Sequence, residues 1–214
     1  MKSLKDKAYD ELKELIISGK LEANERIDED FLSKSLNVSR TPVREAINRL
    51  EQEGWINIVP RKGMFVNNIS LKEINDIFQV RSNLEPIILE MAFYKINRED
   101  LVSLKEKFLD FSNKNSLTPE EKKELDTLDN ELHLLILRNC NNNFIIKMME
   151  NVYEHNMRIR NISSQPPIRR FDAIKEHINI IESILNDNLQ NAIEELKNHN
   201  SKAKEGFFYS LIEQ

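Results

Sequence analysis

The run Ser39-Arg40-Thr41-Pro42-Val43-Arg44-Glu45-Ala46 restricts the architecture of this chain more than any other stretch. Val43, Ala46, Ile47 and Leu50 recur at helical spacing and mark one buried face. Ser39 is expected to cap the helix, and Pro42 falls in its first turn, where a missing backbone donor costs nothing. Gly54-Trp55 closes it. Arg40, Thr41, Arg44 and Arg49 are left on or near the opposite face. Arginines at the leading end of a helix can reach phosphates and guanine edges when that end enters a major groove. An ordinary surface helix with solvated arginines carries the same pattern, so the flanks must decide.

Upstream, Asp28 to Leu36 reads as a short helix with Phe31, Leu32 and Leu36 inward, and Asn37-Val38 as the tight turn before the next helix. Downstream, Trp55-Ile56-Asn57-Ile58-Val59 alternates with period two, and Met64-Phe65-Val66 is a second β-like run. Pro60-Arg61-Lys62-Gly63 between them is a turn carrying two positive charges. Two strands joined by a basic turn after an arginine-led helix make a winged helix-turn-helix. Ser39, Arg40, Thr41, Arg44, Arg49, Arg61, Lys62 and Gly63 are its candidate contacts to double-stranded DNA.

The net charge of −5 argues against a nucleic-acid partner until it is divided. Residues 1–66 hold 12 Lys/Arg against 12 Asp/Glu, so the deficit lies wholly in 67–214, with 19 against 24. Positive charge is therefore local to the helix and wing, which favours specific, salt-sensitive binding over general coating of nucleic acid. No apolar run approaches the ~18 residues that span a bilayer, so no membrane partner is expected. The charged first residues lack the apolar segment of a secretion signal. A single cysteine, Cys140, excludes an internal disulfide and fits the cytoplasm.

The opening helix is expected from about Leu4 to Ser18, with Leu4, Ala8, Leu12, Leu15 and Ile16 on one side and Gly19 as its stop. Residues 1–66 form the winged domain, 67–70 a short polar linker, and 71–214 an all-helical ligand-binding and dimerisation domain. No glycine occurs between Gly63 and Gly206. Helices are predicted over 71–96, 98–114, 119–139, 142–161, 169–187 and 189–212. Their breaks fall at Asn97, Ser116 to Pro119, Asn141-Asn142, Ser163 to Pro167 and Asn186 to Asn188. Pro86 is expected to kink or split the first. The fold class is mainly α, a winged helix-turn-helix followed by an antiparallel bundle of about six helices.

Polar residues on apolar stripes are the informative ones in such a bundle. Asp129 and His133 lie four apart on the stripe of Leu125, Leu132 and Ile136. His177 lies among Ile174, Ile178, Ile181 and Leu185, and His199 continues the stripe of Ile193 and Leu196. One carboxylate and three imidazoles converging inside a bundle suit a divalent transition metal such as zinc, nickel or manganese. The alternative is that each histidine is a core residue satisfied by its own hydrogen bond. His155 is read as structural. Arg81 either offers a fixed charge to a carboxylate ligand or pairs with Glu85 on the surface. Arg158, Arg160, Arg169 and Arg170 are expected to be solvated.

The Val38–Ala46 run, Glu53-Gly54-Trp55 and the Arg61-Lys62-Gly63 turn resemble the GntR family of bacterial transcription regulators. The remainder resembles its FadR-type effector domain, the FCD domain, through Arg81 with Glu85, Asp129 with His133, Asn143, His177 and His199. The resemblance implies a homodimer on a palindromic operator, usually a repressor, whose DNA affinity is set by a small carboxylate effector near a metal. It implies DNA contacts from Arg40, Thr41 and Arg44, assisted by Ser39 and the wing. Asp28-Glu29-Asp30 departs from relatives that place a basic residue early in the second helix, so that contact is expected to be absent. A metal-dependent enzyme acting on a small carboxylate is the rival from another class. An architectural DNA binder without an effector is a third reading.

Overall fold

The computed structural model describes residues 3–162 and 167–212. The chain divides into two compact units, Met1–Leu71 and Lys72–Gln214.

In the first unit the order is α1 (Leu4–Ile17), β1 (Arg26–Ile27), α2 (Glu29–Ser35), α3 (Arg40–Gln52), β2 (Ile56–Val59) and β3 (Gly63–Val66). Asn37, with φ of 51°, makes the reversal between α2 and α3. Gly54 takes φ of 83° as α3 gives way to β2, a left-handed conformation that a side chain disfavours. The strands β2 and β3 pair antiparallel as the wing, with Val59 opposite Gly63. The sequence pattern did not contain β1, which adds to the far side of β3 through Arg26–Phe65 and Ile27–Met64. Two residues are too few to show an alternation.

Leu12, Ile16, Val43, Ile47, Leu50, Trp55, Ile56 and Val66 fill the core of this unit. Two expectations fail here. Phe31 is 68% exposed and Leu4 56% exposed. In α2, seven residues long, only Leu32 is buried, because less than two turns offer room for one inward position. Leu4 is the first residue of α1, and the inward stripe begins one turn later at Ala8.

The second unit contains α4 (Leu71–Ala92), α5 (Arg98–Ser112), α6 (Pro119–Arg138), α7 (Asn143–Ile162), α8 (Pro167–Leu185) and α9 (Leu189–Ile212). These six agree with the sequence reading to within a few residues at each end. Their starts are set by side chains: Asn97 caps α5, and Thr118 with Glu121 forms a capping box on α6. Asn142 Oδ1 accepts from the amides of Phe144 and Ile145 at the start of α7. The break expected from Ser163 lies, through residue 166, outside the described residues. Pro86 does not split α4, which is one continuous helix through it. The amide lost at Pro86 is offset by burial of Pro86, Ile88 and Leu89. Helix α8 packs on α5 and α9, and α6 on α5 and α7, around Leu101, Phe108, Leu132, Leu137, Ile174 and Ile181.

Candidate DNA interface and candidate metal centre

Amphipathicity sets the orientation of α3. Val43, Ala46, Ile47 and Leu50 are buried, so Arg40, Thr41 and Arg44 are left exposed. Ser39 stands at the capping position, but its hydroxyl makes no capping hydrogen bond, contrary to expectation. Arg40 meets Asp30 edge-on, Nε to Oδ1 at 2.7 Å and Nη2 to Oδ2 at 2.9 Å. Arg44 Nε lies 3.0 and 3.2 Å from the two carboxylate oxygens of Glu29. Glu29 and Asp30 of the acidic first turn of α2 thus meet the arginines of α3.

Arg61 and Lys62 are exposed at the wing tip. Gly63 takes φ of 121°, and a Cβ there would lie 3.1 Å from Arg26 Nε. Glycine therefore lets Arg26, a cation the sequence reading overlooked, sit against the wing. Arg49 has local partners. At the far end of α3 its guanidinium covers the Tyr9 ring at 3.7 Å and pairs with Glu53 at 3.1 Å. It belongs to a cluster in which the buried Lys13 reaches Tyr9 Oη at 2.6 Å and Glu53 at 3.1 Å. Burial, and then the neighbouring Glu53 carboxylate that accepts its hydroxyl, push the Tyr9 phenol up to about 12.

In the helical unit, Asp129, His133, His177 and His199 are all buried, and each offers a ligand atom within 4.8 Å of the others'. Helices α6, α8 and α9 bring them together. His177 Nε2 stands 3.0 Å from Asp129 Oδ1, but neither ring nitrogen of His177 has a hydrogen-bond partner among the described residues. His199 Nε2 is likewise buried without one. His199 Nε2 and both nitrogens of His177 thus remain open to a further ligand. Orphaned buried nitrogens beside a carboxylate are what a cation would satisfy. Burial, with His177 and His133 adding to it, holds His199 well below the ordinary imidazole range. Burial also lowers His177 against the pull of Asp129. Both effects favour the neutral ring, the form that donates to a metal.

A second layer orients these side chains. His199 Nδ1 lies 2.9 Å from Glu176 Oε2, which leaves Nε2 turned to the cluster. Glu176 is held by Arg169 at 2.9 and 3.2 Å. His133 Nε2 faces Arg81 Nη2 at 3.4 Å, and its Nδ1 faces Glu85 Oε2 at 3.5 Å. Arg81 and Glu85 are each 1% exposed and pair at 2.7 Å, so the surface-pair reading fails. The remaining Arg81 nitrogens donate to Asn156 and Asn200. Burial would raise Glu85, but Arg81 and then His133 hold its carboxyl far below the usual range.

The expectation of solvated arginines on α7 and α8 is overturned. Arg160 donates to Asp129 at 2.6 Å, Arg170 to Asp126 at 2.6 Å, and Arg158 is 3% exposed. Carboxylates stripped of water require such partners. Beside them lies a cavity of about 20 Å³ walled by Asp126, Asp129, Arg160, Arg170 and His177. His155 is half-buried and outside the four-residue group. Glu176, Asn156 and Asn200 went unnoticed in the sequence. Each is polar at an inward helical position, the same signal that marked the histidines.

An arginine-led helix with a basic wing, joined to a helical unit with a polar centre, defines a DNA-binding regulator carrying an effector domain. Residues 4–66 match the bacterial regulatory proteins of the gntR family, and residues 76–202 match the FCD domain. The chain belongs to the GntR family of transcription regulators, in its FadR-type group with an FCD effector domain. It is 30% identical over 193 residues to the HTH-type transcriptional regulator YdhC of Bacillus subtilis (strain 168), covering 89% of this chain and 85% of that one. It is 24% identical over 197 residues to the transcriptional repressor GlaR of Escherichia coli (strain K12), covering 89% and 90%. Among solved structures it is similar to the metal-free FCD domain of the regulator TM0439, with a TM-score of 0.60 and 25% identity, covering 69% of this chain and all of that domain. These families and relatives are regulators and not enzymes.

Proposed function

We propose that this regulator acts in the cytoplasm as a homodimeric repressor on a palindromic operator, released or engaged by a small carboxylate bound beside a divalent transition metal. The observation that carries the reading is the buried quartet Asp129, His133, His177 and His199, whose ligand atoms lie within 4.8 Å of one another. Three imidazoles and one carboxylate fit zinc, nickel or manganese. When bound, such a metal would supply a fixed positive charge that attracts an anionic oxygen. The description of the similar FCD domain as metal-free agrees with this reading, as does the repressor name of GlaR. That no described helix is long and apolar enough to cross a membrane is compatible with work on DNA.

The effector's carboxylate is better matched by Arg160 than by Arg81. Arg81 already has Glu85, Asn156 and Asn200 as partners. Arg160 walls the small cavity and is bound to Asp129, a group that a metal would also neutralise. The cavity's roughly 20 Å³ holds about one water, so a metabolite needs Arg160 and Arg170 to swing away. On the DNA side, Arg40, Thr41 and Arg44 contact the duplex with Ser39, Arg61, Lys62 and Gly63 assisting. Arg49 serves the packing of α1 against α3. Two such helices in a dimer address successive half-sites. Asn67 is tied to Trp55 and Gly54 of the winged unit, so we assign rearrangement between the units to residues 68–70.

The test combines metal analysis of the purified chain, sedimentation, and fluorescence anisotropy on promoter fragments with a panel of small carboxylic acids. Stoichiometric metal, a dimer, and a change of roughly 5–150-fold in DNA affinity with one acid are expected. A metal-free monomer indifferent to every acid overturns the proposal.

A further inference from the structure

The acidic first turn of α2 is an unexpected neighbour for a DNA-reading helix, and its three carboxylates have separate partners. Asp28 Oδ1 accepts from the amides of Asp30 and Phe31 at 2.8 and 3.1 Å. Glu29 meets Arg44 through Nε alone. Asp30 makes two parallel contacts with Arg40, through Nε and Nη2. A guanidinium has five N–H donors in a fixed plane. The Asp30 pairing uses two and leaves those on the outer edge, which is the edge that pairs with guanine O6 and N7.

We propose that Asp30 is a specificity-determining positioning residue for Arg40. The inference rests on the reading of Arg40 as a base contact. Asp30 holds the guanidinium with its outer edge forward and cancels the charge that would draw it to any phosphate. An unpaired arginine is attracted by every phosphate regardless of sequence. A carboxylate-paired arginine is neutral as a unit and binds chiefly where two acceptors lie in its plane, as on guanine. The side chains are 65% and 51% exposed, so the pair adds little to folding and its effect lies in orientation.

The test uses the full chain as wild type, Asp30→Asn, Arg40→Ala and the double variant. Each is selected against a pool of randomised duplexes, then titrated with the recovered duplex, its guanine-substituted versions and sonicated genomic DNA over a salt series. Asp30 is exposed and the cap belongs to Asp28, so Asp30→Asn keeps the wild-type circular dichroism and melting curve. In Asp30→Asn the guanine preference at the base facing Arg40 falls by roughly fivefold or more. Binding to genomic DNA rises, and the slope of log K against log salt steepens by about 0.9 for each additional phosphate neutralised. In the Arg40→Ala background the same substitution leaves base preference unaltered. An unchanged guanine preference in Asp30→Asn, with Arg40→Ala losing it, overturns this inference alone. An equal rise in affinity for the selected duplex and for genomic DNA reduces Asp30 to a charge mask and also overturns it. Retention of the preference in Arg40→Ala removes the base-contact reading itself, and this inference with it.

Discussion

Asp129 Oδ1 and His177 Nε2 approach to 3.0 Å from α6 and α8, with both side chains buried. A cation held between the two would satisfy both. Replacing both His133 and His177 by alanine is expected to abolish bound metal while leaving DNA binding largely intact. Elemental analysis beside a DNA titration checks this, and undiminished metal in the double variant refutes the proposed centre.

Glu176 acts one layer out, on His199 Nδ1 at 2.9 Å. Glu176→Gln should weaken metal affinity by about 10–100-fold, in line with other outer-layer carboxylates. Competition against a chromogenic chelator measures it. A change smaller than about twofold would show that α9 alone orients the imidazole.

The Arg81–Glu85 pair is wholly buried. Glu85→Gln should destabilise the helical unit by about 3–5 kcal/mol, since it strands a buried guanidinium. Replacing both residues by apolar ones should recover much of that loss. Glu85 is held below its ordinary range by Arg81 and His133 against the effect of burial. Its stabilising contribution is therefore whole above the unfolded glutamate pKa of about 4.3, and is lost as pH falls below that value toward the folded one. Urea unfolding between neutral and acid pH should show this slope in the wild type and a shallower one in Glu85→Gln.

Tyr9 titrates in the opposite sense. Its folded pKa of about 12 lies above the ordinary 10.0, so the protonated phenol is favoured by folding. That stability is complete below pH ~10 and lost as pH rises through the folded value. Tyr9→Phe, which removes the titrating hydroxyl and its bond to Glu53, should flatten the alkaline limb of the winged unit's stability curve. An unchanged alkaline limb would show that the Tyr9 hydroxyl does not set it.

Much of this was legible in one dimension. The spacing of Val43, Ala46, Ile47 and Leu50 fixes the face that α3 buries, and so which arginines it exposes. The apolar stripes around Asp129, His133, His177 and His199 likewise turn four polar residues inward. Where elements were short, the signal thinned. In α2 it assigned Phe31 to the core wrongly, and it missed β1 altogether. In α7 the buried stripe runs through Met149 and Tyr153, while the neighbouring Met148 is 48% exposed.

Periodicity is a local property, and the winged unit, the six helices and the inward histidines followed from it. Which face meets which is decided by contacts far apart in the chain, and those only the tertiary structure supplied. Arg160 reaches Asp129 across 31 positions, and Arg81 reaches Asn200 across 119. Asp30 takes Arg40 from ten residues away because the turn at Asn37 folds α2 onto α3. A charged side chain removed from water must find its counterpart, and geometry in three dimensions chooses it.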